Sequence, residues 1–592
     1  MPARSGYVTF SELFDRQPTK EELNDTLKGL SAFNTVLLTS RLNTMLWHSM
    51  LSQNPQDTNS ISDFQSWFAE NLFDDDTQQR IRARLGARDP ELRRVCIPLQ
   101  LLNIIRLALS IAEGDDKARP DSSQPHTYQL GAASLMVNDL LVTPEEKENL
   151  KKGSKDDRRK QLMLQLLAPT EVSKPTPLRN LFFRSYATYR IVLRDPLLIG
   201  RIKKECGGLD VEQDFEKLLG ITLMGWMSLV FGVQVVLLTR TQEEFVNKPE
   251  TFLLNRKTLL QNSNLSQNQI DGFFDLLSMS FDELRIEVRK DDRQVDERFD
   301  LVPFKSKPLF ITAPDTYACI DFGLFAEKLH TGPYFLLSNK LPKNERGKVF
   351  KAWGFLFEAY VNWLLRSLHG RNSAVFYPDT RWENGNKSFD AVFVKDKIAV
   401  TMEFKGGFLP QDARYSNDLQ TFMDTLESRI GTACHQLARD IGALFPEAGP
   451  GERLQDVTIP PDTLRVLPVL VVQDLMLRAP FINYFLNQRF QSERLLYPVR
   501  RGLEVVPLSV VQITDLETLV EMAEAFDLDV IHFFHRRTQM DREMLSDVQY
   551  FINELPESRT HGESERFQEI VDKSLKEMYA MFFKDAESDQ SH

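Results

Sequence analysis

The pattern of apolar and polar positions separates a first half with helical periodicity from a second half in which short strands and helices alternate. Apolar residues recur at intervals of three and four in segments such as 37–51, 95–112 and 177–193, the spacing that turns one helix face toward a core. From residue 300 onward, short apolar runs are separated by Pro and Asp turns. We therefore expect a mostly helical N-terminal half followed by a mixed-sheet α/β region.

The second half has a definite predicted order, which is helix, three strands, helix, strand, a helix-like segment, strand and helix. The predicted helices are 346–368, 419–445, 478–496 and 515–525, and the predicted strands are 373–381, 388–394, 398–405, 464–473 and 503–513.

Two of these strands, 388–394 and 398–405, are apolar, β-branched runs joined by a short polar segment, which predicts a β-hairpin. A two-residue loop, Asp396-Lys397, places Asp390 directly opposite Glu403. Opposed side chains lie about 4.5–5.5 Å apart at Cβ, so two carboxylates there repel each other. Mg²⁺ would offset this repulsion, because it binds one or two carboxylates together with water and phosphate oxygens.

Lys405 follows Glu403 by two residues and therefore lies on the same face of the strand. A metal held by Asp390 and Glu403 would polarise a phosphodiester, and Lys405 would orient water or stabilise the developing charge. In the alternative interpretation, Asp390 ends a turn and the Glu403–Lys405 pair lies on an exposed strand.

The arrangement Asp-x12-Glu-x-Lys (Asp390, Glu403, Lys405) in a strand–turn–strand setting resembles the active-site signature of the PD-(D/E)XK, or restriction-endonuclease-like, nuclease superfamily. The resemblance implies a nuclease core dependent on Mg²⁺ or Mn²⁺, with the Phe404 carbonyl as a further metal ligand. With its long helical first half, the chain also resembles bacterial nuclease-like proteins, some of which are found in antiviral defence loci.

Two helical residues complete the candidate site. Glu358 lies in the most apolar part of helix 346–368, and burying a carboxylate costs several kcal/mol unless it is paired. The resemblance implies that Glu358 joins the metal site, whereas the alternative is an ion pair with Arg366 or exposure to solvent. It also implies that Gln436 contacts the attacking water or a phosphate, whereas a helical glutamine is otherwise a surface residue.

Three neighbouring features bear on the same site. The dipeptide Pro378-Asp379 offers a second aspartate, but Asp390 is preferred because Asp379 lies beside a proline in a turn-like run. Gly406-Gly407 would let the backbone pass close to a ligand. Arg414 and Tyr415 are candidate phosphate contacts.

The predicted domains are a helical region 1–299 with a linker near 113–160, a connecting α/β segment 300–345, a nuclease-like domain 346–540 and a polar helical tail 541–592 with an acidic end. Residues 218–239 are long and apolar enough to cross a membrane. Their polar residues and mixed-charge flanks favour a buried helix instead.

Charge and cysteine content narrow the class of protein. A net charge of −12 argues against a chain that coats nucleic acid but allows a local basic groove. Candidate basic segments are 151–160, 201–204, 500–501 and 536–537. The four cysteines are scattered, which indicates neither disulfides nor zinc, and no secretory signal is visible. We expect a cytoplasmic protein without membrane association.

The leading hypothesis is a Mg²⁺-dependent endodeoxyribonuclease acting on DNA. Its helical half would bind substrate, sense a signal, or contact other defence proteins or a second copy of the chain. Two alternatives remain at this point: a catalytically silent scaffold or binding subunit that keeps the nuclease fold, and a nuclease that cleaves RNA.

Overall fold

The computed structural model describes residues 8–51, 59–86, 94–111, 124–173, 176–239, 248–261, 263–290, 295–559 and 562–583. The helices of the first half are α1 Phe10–Phe14, α2 Lys20–Lys28, α3 Ala32–Leu51, α4 Asn59–Asn71, α5 Asp75–Gly86, α6 Pro98–Ile111, α7 Gln124–Leu140, α8 Pro144–Lys152, α9 Lys155–Ser173, α10 Leu178–Tyr186, α11 Pro196–Glu205, α12 Val211–Leu219, α13 Leu223–Leu238, α14 Arg256–Gln261, α15 Gln267–Leu277 and α16 Phe281–Val288.

The second half adds helices α17 Val302–Ser306, α18 Phe322–Ala326, α19 Lys328–Lys340, α20 Arg346–Leu365, α21 Gln411–Tyr415, α22 Leu419–Leu426, α23 Thr432–Leu444, α24 Ile482–Arg494, α25 Ile513–Phe526, α26 Val530–Met540, α27 Val548–Asn553 and α28 Glu565–Phe582. The strands are β1 Leu254–Asn255, β2 Ser278–Met279, β3 Leu309–Ala313, β4 Thr316–Cys319, β5 Val375–Pro378, β6 Ala391–Lys395, β7 Ile398–Lys405, β8 Arg465–Val472, β9 Glu504–Val505 and β10 Ser509–Gln512.

The strands form two sheets, and the larger one carries the candidate site. The smaller sheet has the order β1-β4-β3-β2 and includes the short strands that the pattern predicts after residue 300. In the larger sheet the order is β10-β8-β7-β6-β5, with β9 paired to β8. Strands β5, β6 and β7 are antiparallel, whereas β7, β8 and β10 are parallel. The predicted combination of a helical half with a mixed α/β sheet is confirmed.

One predicted strand is divided in two. The expected strand 503–513 forms β9 and β10, which pair with different parts of β8. Pro507 lies between them, and a proline has no N–H to donate to a ladder. The interruption therefore falls where the backbone cannot continue the pairing.

The hairpin register is the one that the sequence predicts. Lys395 pairs with Ile398 and Ala391 with Met402. Asp396 has a φ of +51°, a conformation that Asp tolerates better than most residues. The N–H of Asp390 donates to the carbonyl of Met402 at 3.0 Å, so Asp390 lies just before β6, opposite Glu403.

Helices cover both faces of the larger sheet. Val400, Met402 and Phe404 belong to a core that also contains buried residues of α20, and this confirms the predicted core face of β7. The opposite face packs against α23, whose Leu437 lies in the second core with Leu470 of β8. Glu403 therefore lies on the α23 side, because successive strand residues alternate between faces.

Both cores join the helical half to the sheet. The first contains residues of α10, α13 and α28 together with α20 and β7. The second contains residues of α3 and α6 together with α23 and β8. The cores therefore cross the positions 299, 345 and 540 at which the pattern suggests domain boundaries.

Helix α13 is the buried helix that the sequence predicts, and Trp226, Val230 and Val233 on it have no exposed surface. In the described ranges, no single helix has the length and apolar composition needed to cross a membrane. Helices α12 and α13 meet these criteria only as a pair, with a bend of 65° between them.

Most of the segment predicted as a linker, near residues 113–160, is helical. Residues 124–160 form α7, α8 and the start of α9. Helix α8 begins with a reciprocal cap between Thr143 and Glu146, which satisfies backbone donors that a helix start leaves unpaired. Positions 113–123 of the predicted linker, and the acidic end 585–592, lie outside the described residues. The two helices predicted after residue 541 are α27 and α28.

Candidate active site

The six residues proposed from the sequence for the metal site and catalysis line a single cleft of about 970 Å³, namely Glu358, Asp390, Glu403, Phe404, Lys405 and Gln436. They come from α20, from the residue preceding β6, from β7 and from α23. The cleft opens beside the first residue of β6, where β7 continues past it between α20 and α23.

Asp390 extends the sheet through its side chain. Its Oδ2 atom accepts the N–H of Phe404 at 2.6 Å, a group that a longer β6 would have paired with backbone. The N–H and C=O of one strand residue point to the same side. The Phe404 carbonyl is therefore directed toward the side of β7 on which Asp390 lies, just before the first residue of β6.

The acids are buried close to one another. Burial and the charge of Asp390 raise the pKa of Glu403 well above its usual range. The same two causes, in the same order, raise the pKa of Glu358. A carboxyl group whose pKa is raised by a neighbouring carboxylate is one that a nearby cation would return to its charged form.

Lys387 is a site residue that the sequence reasoning missed. Its Nζ atom lies 2.8 Å from Oε1 of Glu358 and 2.6 Å from Oδ1 of Asp390. Burial alone would lower the pKa of Lys387, but the charges of Asp390 and Glu358 raise it above its ordinary value. The sequence feature that could have identified Lys387 is its position three residues before Asp390. Among the residues that the structure describes, the alternative in which Glu358 pairs with Arg366 does not occur. Glu358 forms ion pairs with Lys387 and, at 3.5 Å, with Arg201.

Lys405 is held between a strand and a helix. Its Nζ atom donates to Oε1 of Gln436 at 2.9 Å and lies 3.7 Å from Oε2 of Glu403. The Lys405 side chain is 23% exposed, whereas that of Glu403 is 4% exposed. The ammonium group therefore faces the cleft while the carboxylate beside it is buried.

The donor set suits a hard divalent cation. In the described part of the chain, no cluster of three or more His, Cys, Asp or Glu side chains has a metal-binding arrangement. Mg²⁺, however, needs only one or two carboxylates when other oxygens complete its shell. Asp390 and Glu403 supply two carboxylates, and the Phe404 carbonyl supplies an uncharged oxygen. The ion pairs of Lys387 with Glu358 and Asp390 show that a positive charge is needed beside these two acids.

Cationic and aromatic side chains line the rest of the cleft, namely Arg346, Lys351, Arg429 and Arg439 with Tyr334, Phe350, Phe355 and Phe408. Phe350 is 44% exposed. The guanidinium of Arg201 lies 4.0 Å from the Phe355 ring centroid, so one of the predicted basic segments reaches this cleft. Such walls suit a polynucleotide, whose phosphates attract cations and whose bases stack on aromatic rings.

The expectation that Arg414 and Tyr415 contact phosphate is wrong. Arg414 is 5% exposed and lies 3.0 Å from Oε1 of Glu171 and 2.5 Å from Oδ2 of Asp474. The Tyr415 hydroxyl donates to Oε2 of Glu171 at 2.7 Å. A buried arginine between two carboxylates is already neutralised, and this network joins α9 to the sheet region.

The three other basic segments each contribute an arginine with a partner within the protein. Arg159 pairs with Glu543 at 2.5 Å, and Arg537 is fully buried. Arg500 donates to the carbonyl of Thr463 at 2.7 Å. These arginines therefore stabilise the fold.

The preference for Asp390 over Asp379 agrees with the geometry. Asp379 has a φ of +43°, and its side chain is 42% exposed and faces Arg381 at 3.4 Å. Gly406 serves packing, since a Cβ there would lie 2.5 Å from Cβ of Phe357. A Cβ at Gly407 would meet none of the described atoms within 4 Å.

The site therefore combines paired carboxylates, a lysine held by a glutamine, and a cationic, aromatic approach. This arrangement is able to hold a divalent cation, bind phosphate groups and position a water molecule. No protein-family model, curated protein or solved structure matches this chain.

Proposed function

We propose that this protein is a Mg²⁺-dependent nuclease that hydrolyses phosphodiester bonds in DNA, and that its larger sheet with α20 and α23 is a PD-(D/E)XK-like core. The observation that carries the proposal is the convergence of Glu358, Asp390, Glu403, Lys405 and Gln436 on one cleft. These are competent residue types for this chemistry, brought together from four elements.

Each residue has a role that follows from its position. Asp390, Glu403 and the Phe404 carbonyl would hold Mg²⁺ or Mn²⁺, with Glu358 beside them. When bound, the ion supplies Lewis-acid polarisation of the phosphodiester. Lys405, fixed by Gln436 at 2.9 Å, donates a hydrogen bond to the attacking water or to a phosphate oxygen. Preorganised donors of this kind stabilise charge as it develops.

The cationic walls of the cleft bind the substrate. Arg346, Lys351, Arg429 and Arg439 contact the phosphates on either side of the scissile bond, while the net charge of −12 discourages binding elsewhere on the surface. In this proposal, the helical half contacts DNA, another protein of an antiviral defence system or a second copy of the chain.

A second candidate function is nucleic-acid binding without cleavage. It is favoured by Lys387, whose ion pairs with Glu358 and Asp390 neutralise two acids without a metal. In that case the cleft would bind a polynucleotide as part of a scaffold.

One set of incubations separates these functions. Purified protein is mixed with linear duplex, circular duplex, single-stranded DNA and RNA, with MgCl₂ or with EDTA. We expect Mg²⁺-dependent cleavage of DNA, and opening of the circular substrate indicates endonucleolytic action. Lys405→Ala should lose cleavage roughly 10²- to 10⁴-fold, the usual range for a positioned proton-transfer or donor group. Lys397→Ala, at the exposed hairpin loop, is the matched control.

The metal site is tested separately by thermal unfolding. MgCl₂ or MnCl₂ should raise the Tm of the wild type but not of Asp390→Ala, because only the folded protein with both acids binds the ion. Cleavage of RNA alone would identify an RNA nuclease. Nucleic-acid binding with no cleavage and no metal effect on Tm would favour the scaffold function.

A further inference from the structure

The contacts of Asp390 leave little room for an additional cation. Its Oδ2 atom accepts the backbone N–H of Phe404 at 2.6 Å, and its Oδ1 atom lies 2.6 Å from Nζ of Lys387. The first contact extends the pairing of β6 and β7 to the residue before β6. The second joins two side chains and is lost without any change in the backbone. A metal that binds Asp390 therefore competes with Lys387 and not with Phe404.

The charge balance leads to the same conclusion. In this structure Glu358 is paired with Lys387 and Arg201, Asp390 with Lys387, and Glu403 with Lys405. A divalent ion adds two positive charges to acids that already have cationic partners. Like charges placed within a few ångströms repel each other strongly where burial limits screening. Metal binding therefore requires that one ammonium group leave.

Lys387 is the cation that is free to leave. It follows an exposed turn in which Gly385 has a φ of +84°, and its side chain is 35% exposed, compared with 23% for Lys405. Lys405 is also fixed by its bond to Gln436. The cleft in front of Lys387 is the space that a substrate phosphate would enter.

We infer that Lys387 is a substitutable cation. Its ammonium group pairs with Oδ1 of Asp390, the oxygen that the metal would bind, and with Glu358 beside it; when a divalent ion binds Asp390, this group transfers to a phosphate of the nucleic acid. The inference rests on the proposed function and adds a sequence of binding events to it: the metal binds first, and its binding releases Lys387 to contact the substrate.

Direct metal binding tests this exchange. MgCl₂ and, separately, MnCl₂ are titrated by calorimetry into the wild type, Lys387→Met, Lys387→Arg and the control Lys397→Met, which removes an exposed lysine of the hairpin loop that pairs with Asp462 instead of the acids. Lys387→Met keeps the length and removes the competitor, so its metal Kd should fall roughly tenfold if about 1.4 kcal/mol of competition is removed. Lys387→Arg should bind metal more weakly than the wild type, because a guanidinium pairs with carboxylates bidentately. Lys397→Met should bind both metals as the wild type does.

Thermal unfolding provides a readout that does not depend on activity. Without Lys387, Asp390 loses the lysine that pairs with it, so in EDTA the Tm of Lys387→Met should fall below that of the wild type. Saturating MgCl₂ should remove most of this difference. Lys387→Arg keeps the charge, so it tests the competition even if Lys387→Met does not fold.

Nucleic-acid binding tests the second half of the exchange. Anisotropy of a labelled phosphorothioate oligonucleotide, which resists hydrolysis, is measured with MgCl₂ and with EDTA. The loss of affinity on Lys387→Met should be larger with MgCl₂ than with EDTA, because only the displaced ammonium reaches a phosphate. An equal loss in both conditions would overturn the transfer.

The outcomes separate this inference from the proposed function. If the wild type binds metal and Lys387→Met binds it equally or more weakly, the exchange is refuted and the nuclease assignment stands. If no variant and no wild-type sample binds either metal, both fail.

Discussion

The Nζ atom of Lys405 lies 2.9 Å from Oε1 of Gln436, so the last residue of β7 is held by the helix that covers this face of the sheet. Glu403, on the same face, lies 3.7 Å from the same ammonium group. The glutamine therefore determines where a flexible lysine side chain places its charge. We regard Gln436 as a positioning residue.

Replacing Gln436 by leucine should lower kcat without a matching change in KM. The leucine fills the space but accepts no hydrogen bond, and a misplacement of about 1 Å costs on the order of 10²-fold in rate. Steady-state cleavage assays on a labelled duplex measure this effect. Gln420→Leu, on the exposed side of α22, is the control and should behave as the wild type. A Gln436→Leu enzyme with normal kcat would show that Lys405 needs no such support.

Glu403→Gln should alter how the stability of the metal-free protein depends on pH. Because the folded-state pKa of Glu403 is raised above 4.5, the folded protein holds a proton that the unfolded chain releases. Stability from this group is therefore present below the unfolded pKa and is lost as pH rises through the folded pKa. The variant keeps the neighbouring residues Lys405 and Gln436, so the change is confined to the carboxyl group of Glu403.

The measurement is unfolding in EDTA at a series of pH values that begins near the ordinary carboxyl pKa of 4.5 and extends upward. As pH rises, the free energy of unfolding of Glu403→Gln should increase relative to that of the wild type. With saturating MgCl₂ the wild type should instead be the more stable of the two proteins, because it alone retains the carboxylate at position 403. Parallel pH curves in EDTA would mean that Glu403 is not perturbed in the folded protein.

Adjacent glycines after β7 should respond differently to alanine. A Cβ at Gly406 would lie 2.5 Å from Cβ of Phe357, whereas one at Gly407 would meet none of the described atoms within 4 Å. Overpacking of this kind costs about 1–3 kcal/mol, so Gly406→Ala should unfold at lower urea concentration than the wild type. Gly407→Ala is the matched control. Equal midpoints for the two variants would contradict the close approach of α20 to the end of β7.

Arg184→Met should be the most destabilising of the changes considered. Arg184 and Glu517 are 3% and 0% exposed, and they pair through two hydrogen bonds of 2.6 and 2.9 Å. Tyr360 donates to the same carboxylate at 2.6 Å. Removing one partner of a buried pair leaves an uncompensated charge and costs about 3–5 kcal/mol.

Chemical denaturation of Arg184→Met and Arg190→Met measures this difference. Arg190 pairs with Glu577, and its side chain is 24% exposed, so its removal should cost less than about 1 kcal/mol. The comparison also tests whether α10 and α25 unfold together. Similar losses in both variants would argue against a buried pair at Arg184.

The part of the site that was predictable is the part encoded locally. The register of β6 and β7 follows from a two-residue loop and from side-chain alternation, and Asp390, Glu403 and Lys405 follow from that register. The buried helix α13 was predictable for a similar reason, since its composition leaves it no stable exposed face.

Contacts between distant segments were not predictable in this way. Arg414 was expected to be available for phosphate, but Glu171 lies 243 positions away in the chain and nothing near Arg414 indicates the pairing. Arg201 reaches Glu358 from the helical half for the same reason. Lys387 was missed because its role depends on a turn that aims its side chain at two elements at once.

The contact between Gly232 and Phe582 has a consequence for synthesis of the chain. A Cβ on Gly232 would lie 2.3 Å from the Phe582 ring, so α28 packs directly on the backbone of the apolar helix α13. The ribosome completes α13 roughly 330 residues before it begins α28, an interval of about 15–65 seconds at 5–20 residues per second. During that time the nascent chain carries an uncovered apolar surface. Ribosome-associated chaperones are therefore expected to bind there, and premature stop codons before α28 are expected to yield aggregates.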